Sequence, residues 1–324
     1  MADTPKPVLK WAGGKRQLIN TIDENLPLEL KEGHITKYFE PMVGGAAVFF
    51  HIKKKYPSVS EYYISDYNWD LFILYKIIQT RLSDLLLEIK VLQDEYLPLP
   101  PTQKGDKEGE RISMYLRIRE EYNQDAWDNH RYKSDNSSLS KKISDECIRR
   151  AAITVFLNRT CFNGLYRVNK SGKFNVPHGR YDTPKILDTV NLKLVNQALQ
   201  GVEISVGSYE EHLGEVDGES FVYFDPPYRP LPGTASFNDY HKASFGDSEQ
   251  RRLADKCKEL HNRGAKIMLS NSNPKFTDPA DNFFDELFSE DYFCINEVTA
   301  SRVINSDGDK RGKITEILVT NYGV

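Results

Sequence analysis

Cysteine is scarce and scattered. The four, Cys147, Cys161, Cys257 and Cys294, form no C-x-x-C pair, which argues against a zinc site and a disulfide framework and leaves free, mostly buried thiols as the expectation. The seven histidines are scattered too, with no pair at helical ligand spacing, so no metal is expected. Also missing is any apolar run near the roughly 18 to 20 residues of a membrane span. The opening MADTPKP lacks the charged-then-apolar layout of a signal peptide, so no membrane and a cytoplasmic location are expected. Internal repeats and long low-complexity tracts are absent.

What is present suits a globular chain: 324 residues, 39% apolar and 28% charged, enough for one large core plus a smaller module. The net charge of −4 conceals an asymmetry. Between Arg131 and Lys185 twelve Lys and Arg face four acids, giving that segment +8 and the remainder −12. Such a division fits a phosphate-contacting module on an acidic body, or a solvated face that happens to be basic. Strand-like runs at 36–40, 62–65, 203–206, 221–224 and 266–270 alternate with helical patterns, which predicts a mostly parallel α/β sheet. The stretch 71–181 is helical, loop-rich and polar and reads as an insertion. Its best-marked helix begins after Ser144, a good N-cap, with Ile148, Ala152 and Val155 on one face.

Four short stretches carry chemistry. In FVYFDPPYRP, residues 221–230, an uncharged run of β-branched and aromatic residues ends on Asp225 and two prolines, which cannot continue a ladder. A buried strand that stops this rigidly puts an acid and an aromatic at its carboxyl end, where open α/β sheets bind ligands; the plain alternative is a turn. In VLKWAGGKRQLI, residues 8–19, Leu9 and Arg16 stand where a phosphate loop needs Gly and Ser or Thr, so a nucleotide hydrolase is excluded on spacing. What survives is a tight turn at Gly13-Gly14 beside Trp11 and Lys15, or a structural turn with a buried indole. KYFEPMVGGAAVFF, residues 37–50, runs strand, small residues, helix, and YYISDYN sets Asp66 at the next strand end, where acids commonly hold ribose hydroxyls. Together they suggest an adenosine-containing cofactor without a pyrophosphate cradle.

In this order the stretches resemble the DNA adenine-N6 methyltransferases of the Dam and DpnII type (D12 class): K-W-A-G-G-K, E-P-x-V-G-G, a ribose-binding acid, a recognition insert, then D-P-P-Y. The match runs through RTCFNGLYRVNKSGKFNVPHGRY (159–181), KIMLSNS (266–272) and RGKITEILVTNY (311–322). One departure is Ala46, where the family usually has glycine. The resemblance implies a Rossmann-like class I S-adenosylmethionine-dependent sheet, with residues 1–70 and 182–324 catalytic and a mainly helical recognition domain, 71–181, carrying a β-hairpin.

It further implies methyl transfer from S-adenosylmethionine, without a metal, to N6 of a flipped-out adenine in double-stranded DNA, within GATC. Asp225, Pro226, Pro227 and Tyr228 would be catalytic. Trp11, Lys15, Glu40, Gly44, Gly45, Asp66 and Asp225 would hold the cofactor. Lys10, Phe162, Asn163, Arg167, Pro177 and Arg180 would meet DNA, with Arg167 and Lys10 on the two guanines. A monomer in catalysis, a separately acting cognate restriction endonuclease and a prokaryotic or phage-type cytoplasmic setting accompany the family. The rivals are a methyltransferase for RNA or a protein amide, which the basic insert opposes, and a silent DNA-binding relic, which the intact D-P-P-Y opposes.

Overall fold

The computed structural model describes residues 4–103, 105–124, 144–169, 171–229, 245–301 and 313–323. Residues 128–142, within the stretch expected to be loop-rich, lie outside them, and five of the twelve basic residues, Arg131, Lys133, Lys141, Lys142 and Lys170, do too. The chain divides into two compact units, one of Met1–Gly14, Gly44–Phe50 and Asn68–Gln200, the other of Lys15–Val43, His51–Tyr67 and Gly201–Val324.

The second unit contains a seven-stranded sheet. Its strands are β1 (Lys37–Glu40), β2 (Glu61–Asp66), β3 (Val202–Val206), β4 (Ser220–Phe224), β5 (Lys266–Ser272), β6 (Cys294–Ser301) and β7 (Lys313–Thr320). They lie in the order β3-β2-β1-β4-β5-β7-β6, parallel from β3 to β5, with β7 antiparallel to both neighbours. All five residues of β4 are buried, as a central strand covered on both faces requires. On one face Val222, Phe224, Ile267, Leu269, Ile317 and Val319 meet a long helix, Asp247–Asn262, through Leu253, Ala254, Cys257 and Leu260, an i, i+3/i+4 stripe. This is the Rossmann-like class I S-adenosylmethionine-dependent methyltransferase fold. The five expected strands form within two residues of their expected bounds. β6 and β7 were not expected as strands, because each depends on an antiparallel partner distant in sequence.

The first unit is helical. We label its main helices α1 (Trp69–Thr80), α2 (Leu82–Tyr96), α3 (Glu110–Gln124), α4 (Asp145–Thr160) and α5 (Thr189–Leu199). Helix α4 packs on α1, α2 and α3 and is buried far beyond the single stripe expected: Arg150, Thr154 and Asn158 are inside with Ile148, Ala152 and Val155. Ser144 occupies its N-cap position without a side-chain capping bond. Residues 182–200 group with the helices because α5 packs on α1 and α2. A hairpin follows α4: Val168 bridges Phe174, Asn169 N–H donates to the Lys173 carbonyl and Asn175 N–H to the Arg167 carbonyl. Three of the four cysteines are buried, and Cys294 is exposed.

Candidate active site

Asp225 follows directly on β4, so a fully buried strand aims its carboxylate out of the parallel edge where β1 and β2 also end, at Glu40 and Asp66. The turn after it is clamped from β5. Asn271 Oδ1 accepts from the Arg229 N–H at 3.1 Å, and Ser272 Oγ donates to the Arg229 carbonyl at 2.7 Å. Gln250, held by Asn271 Nδ2, donates to the Pro227 carbonyl at 3.0 Å. Arg229 is fixed further by Asp247 at 2.9 Å and Asp281 at 2.6 Å. The S-N-S end of β5 thus explains the rigid strand ending: the prolines stiffen the turn, and β5 with Gln250 pins it at its backbone.

Lys15, expected to hold the cofactor, is buried at 5% exposure, its Nζ 2.6 Å from Asp225 Oδ1 and 4.7 Å from the centroid of the Tyr228 ring. The Tyr228 hydroxyl donates to Glu316 Oε2 at 2.6 Å. Burial raises the Asp225 carboxyl above its ordinary value; Lys15 opposes this and Glu316 adds to it. Burial also drives the Tyr228 phenol well upward, with Asp225 and Glu316 reinforcing it, so the phenol stays protonated and donates. Glu40 is buried and accepts from the Tyr38 hydroxyl at 2.7 Å. Asp66 is half-buried, and its carbonyl receives the Gly207 N–H at 3.2 Å.

In the helical unit Trp11 stacks on Tyr166, centroids 4.7 Å apart, and stands against Gly44. Gly44 has φ +46°, and a Cβ there would lie 3.0 Å from the indole, so only glycine lets turn and ring approach this closely. The Tyr75 hydroxyl donates to the Gly44 carbonyl at 2.7 Å. Gly45 stands beside the Trp11 Cβ and Pro7. Ala46 is fully buried at φ 60°, a left-handed conformation that costs a non-glycine residue about 1–2 kcal/mol and gives the usual family glycine a physical reason.

The hairpin end brings four expected DNA contacts together. Asn158 holds Lys10 by both backbone groups, at 2.8 and 3.1 Å, and the Gly164 carbonyl at 2.9 Å. Phe162 donates its N–H to the Pro177 carbonyl at 2.8 Å and exposes 52% of its surface, and Asn163 beside it is exposed at φ 58°. Arg167 braces the hairpin through Nε to Asn175 Oδ1 at 2.8 Å, and Arg180 binds the Asp106 carbonyl at 2.8 Å. The basic excess is therefore partly used within the fold: Arg150 pairs with Asp70 at 2.7 Å, Arg149 with Glu121, and half-buried Arg159 holds the Val8 carbonyl.

A cavity of about 190 Å³ lies elsewhere, over β1 to β3, lined by residues that include Phe39, Tyr63, Glu203 and Glu211 and none expected to hold the cofactor. Among the described residues no group of three or more His, Cys, Asp or Glu is arranged for a metal, and no helix is long and apolar enough to cross a membrane. Sequence reasoning missed Gln250, Asn271, Ser272 and Glu316 around Asp225 and Tyr228, and, within the helical unit, Tyr166 against Trp11. All but Gln250 lie in motifs already quoted, where their spacing alone gave no sign of a partner.

The family model for D12 class N6 adenine-specific DNA methyltransferases matches residues 11–304. The chain is 46% identical to the type II methyltransferase M.MjaIII of Methanocaldococcus jannaschii, over 98% of this chain and 99% of that protein. It is 34% identical to the type II methyltransferase M1.LlaDCHI of Lactococcus lactis subsp. cremoris, over 98% and 96%. With the DNA adenine methylase of Escherichia coli K12 it shares 30% identity over 96% and 93%. An acid at the end of β4, a clamped P-P-Y turn and a match along nearly the whole chain agree, and the protein belongs to the D12 class of N6 adenine-specific DNA methyltransferases.

Proposed function

We propose that the protein methylates N6 of an adenine extruded from double-stranded DNA, within GATC, using S-adenosylmethionine and releasing S-adenosylhomocysteine. The observation that carries this reading is Asp225, held at the end of β4 in a turn pinned by Gln250, Asn271 and Ser272. Adenine N6 is a weak nucleophile because its lone pair is delocalised into the ring. The Asp225 carboxylate and the Pro226 carbonyl accept its two hydrogens and draw it toward tetrahedral geometry, stabilising charge as it develops. Their fixed position spares the reorganisation that loose acceptors would need. The Tyr228 ring gives the extruded base a face to stack on. Lys15, 2.6 Å away, opposes the rise that burial imposes on the Asp225 carboxyl.

S-adenosylmethionine, when bound, supplies a methyl group already activated by a sulfonium, and the reaction calls for no metal. Within the sheet unit Asp66 fits its ribose hydroxyls, being half-buried at a strand end beside the β1 end at Glu40. Within the helical unit Trp11 and the Gly44–Gly45 turn offer a flat face and a close backbone.

Residues 71–181 form the recognition domain in this reading, and 1–70 with 182–324 the catalytic one. Arg167 exchanges Asn175 for O6 and N7 of one guanine, and Lys10 takes the other. Exposed Phe162 with Asn163 fills the stack left by the adenine, Pro177 lies against the thymine methyl, and Arg180 adds a further DNA contact. GATC is supported by the likeness of 159–181 to the Dam and DpnII-type hairpin. The relatives named type II methyltransferases support a separately acting cognate endonuclease. We further infer a cytoplasmic enzyme that acts as a monomer. Incubation with labelled S-adenosylmethionine and plasmid DNA, followed by sequencing for N6-methyladenine, tests substrate, product and site at once. Label in DNA at sites other than GATC would remove the specificity, and no label in DNA would remove the reading.

A further inference from the structure

We propose that Glu316 is a positioning residue for the target base: by accepting the Tyr228 hydroxyl it locks the ring on which the adenine stacks. The inference rests on the stacking role given to Tyr228 above. Glu316 lies on β7, and the sheet fixes its place, with Ser272 of β5 as its register partner on one side and Val298 of β6 on the other. Ser272 is the residue that ties down the Arg229 carbonyl. Two neighbouring positions in the sheet therefore hold the same turn, Ser272 by the backbone after Tyr228 and Glu316 by the tip of its ring, at 2.6 Å.

The chemistry explains why an acid stands there. The P-P-Y backbone is stiff, but the Tyr228 side chain retains its own rotations unless its far end is fastened. A hydrogen bond to a carboxylate is shorter and stronger than one to a neutral acceptor. Lys15, 4.7 Å from the ring centroid, borders the ring as well. With one contact at the hydroxyl and another at the ring, the base meets a ring already in place, and misplacement of about 1 Å can cost on the order of 10²-fold in rate.

The test compares Glu316→Ala, Glu316→Gln, Tyr228→Phe, Tyr228→Ala and the Glu316→Ala/Tyr228→Phe double variant of the full chain on a duplex oligonucleotide. Thermal melting and calorimetric binding of S-adenosylmethionine check folding. Glu316→Ala and Tyr228→Phe should each lower kcat by roughly tenfold or more, as loss of a charged hydrogen bond implies. Their cofactor affinity should stay unchanged. Glu316→Gln, which keeps a weaker, neutral acceptor, should fall between Glu316→Ala and the wild type, and the double variant should be no slower than Tyr228→Phe. A Gln variant as slow as Ala, or losses that multiply in the double variant, would overturn the proposal. Should Glu316→Ala not fold, Tyr228→Phe carries the test, because it removes the same bond from the other side. Tyr228→Phe at the wild-type rate with Tyr228→Ala slow would overturn this inference and leave the stacking role standing. Both at the wild-type rate would remove the stacking role itself.

Discussion

Lys15 Nζ lies 2.6 Å from Asp225 Oδ1, so the acid that ends β4 carries a cation against it before any substrate arrives. Lys15 places a compact charge beside the acid and opposes the rise that burial imposes on its carboxyl.

The pH dependence follows from that pair. Burial raises the Asp225 carboxyl, Lys15 opposes the rise and Glu316 adds to it. A carboxylate that must be ionised to accept N6 hydrogens then loses activity on acidification at a higher pH than an ordinary aspartate would. Lys15→Met should move the acidic limb of kcat/KM further up, because the opposing charge is gone. A pH–rate profile of both proteins checks this, and an unmoved limb would contradict it. Because burial outweighs the Lys15 pair, the folded chain holds this proton more tightly than the unfolded one, so the ionised acid destabilises the fold above its folded value and ceases to do so below the unfolded one.

Asp225→Ala should lower kcat by on the order of 10² to 10³, the usual cost of losing one preorganised electrostatic partner. Single-turnover methylation of a duplex oligonucleotide measures it, and retention of half the rate would refute the role.

Asp66→Ala should weaken S-adenosylmethionine binding while DNA affinity stays nearly intact, since the lost bonds go to ribose. Calorimetry for the cofactor and a gel shift for the duplex separate the two, and unchanged cofactor affinity would remove the assignment.

Arg167, now bonded to Asn175 at 2.8 Å, either trades that bond for a guanine or only braces the hairpin. If it reads a base, Arg167→Ala should lose about 1–3 kcal/mol of discrimination at one base pair and methylate sites altered there. A variant that is weaker on every sequence, with GATC alone in the methylome of cells expressing it, would assign the residue to bracing or phosphate.

Asp70 is buried and takes hydrogen bonds from Arg150 at 2.7 Å, Tyr122 at 2.5 Å and Tyr166 at 2.6 Å. Burial alone would raise its carboxyl, but Arg150 and the two phenols hold it below the ordinary value. Asp70→Ala removes the carboxylate partner of a buried guanidinium and should cost about 3–5 kcal/mol in denaturant unfolding. In the wild type the stabilisation is present above the unfolded carboxyl value and is lost as pH falls through the folded one. Because Tyr166 also stacks on Trp11, the same variant should loosen S-adenosylmethionine binding.

The sequence by itself determined the parallel strands and the end of β4. A run of Phe221, Val222, Tyr223 and Phe224 reads as a covered strand, and prolines forbid its continuation, so local chemistry sufficed. It also marked the strand-to-helix turn by the small residues Gly44, Gly45, Ala46 and Ala47, whereas the indole against Gly44 appears only in the fold. Tertiary structure alone decided which charges serve the site. A count along the chain cannot distinguish Arg150, buried on Asp70, from Lys10, exposed at the hairpin end. Nor can it find Glu316, which lies 88 residues from Tyr228 and reaches it only because β7 runs antiparallel beside β5. Hydrophobic period and turn chemistry are written over a few neighbouring residues, whereas a hydrogen bond between strand ends exists only once the sheet has closed.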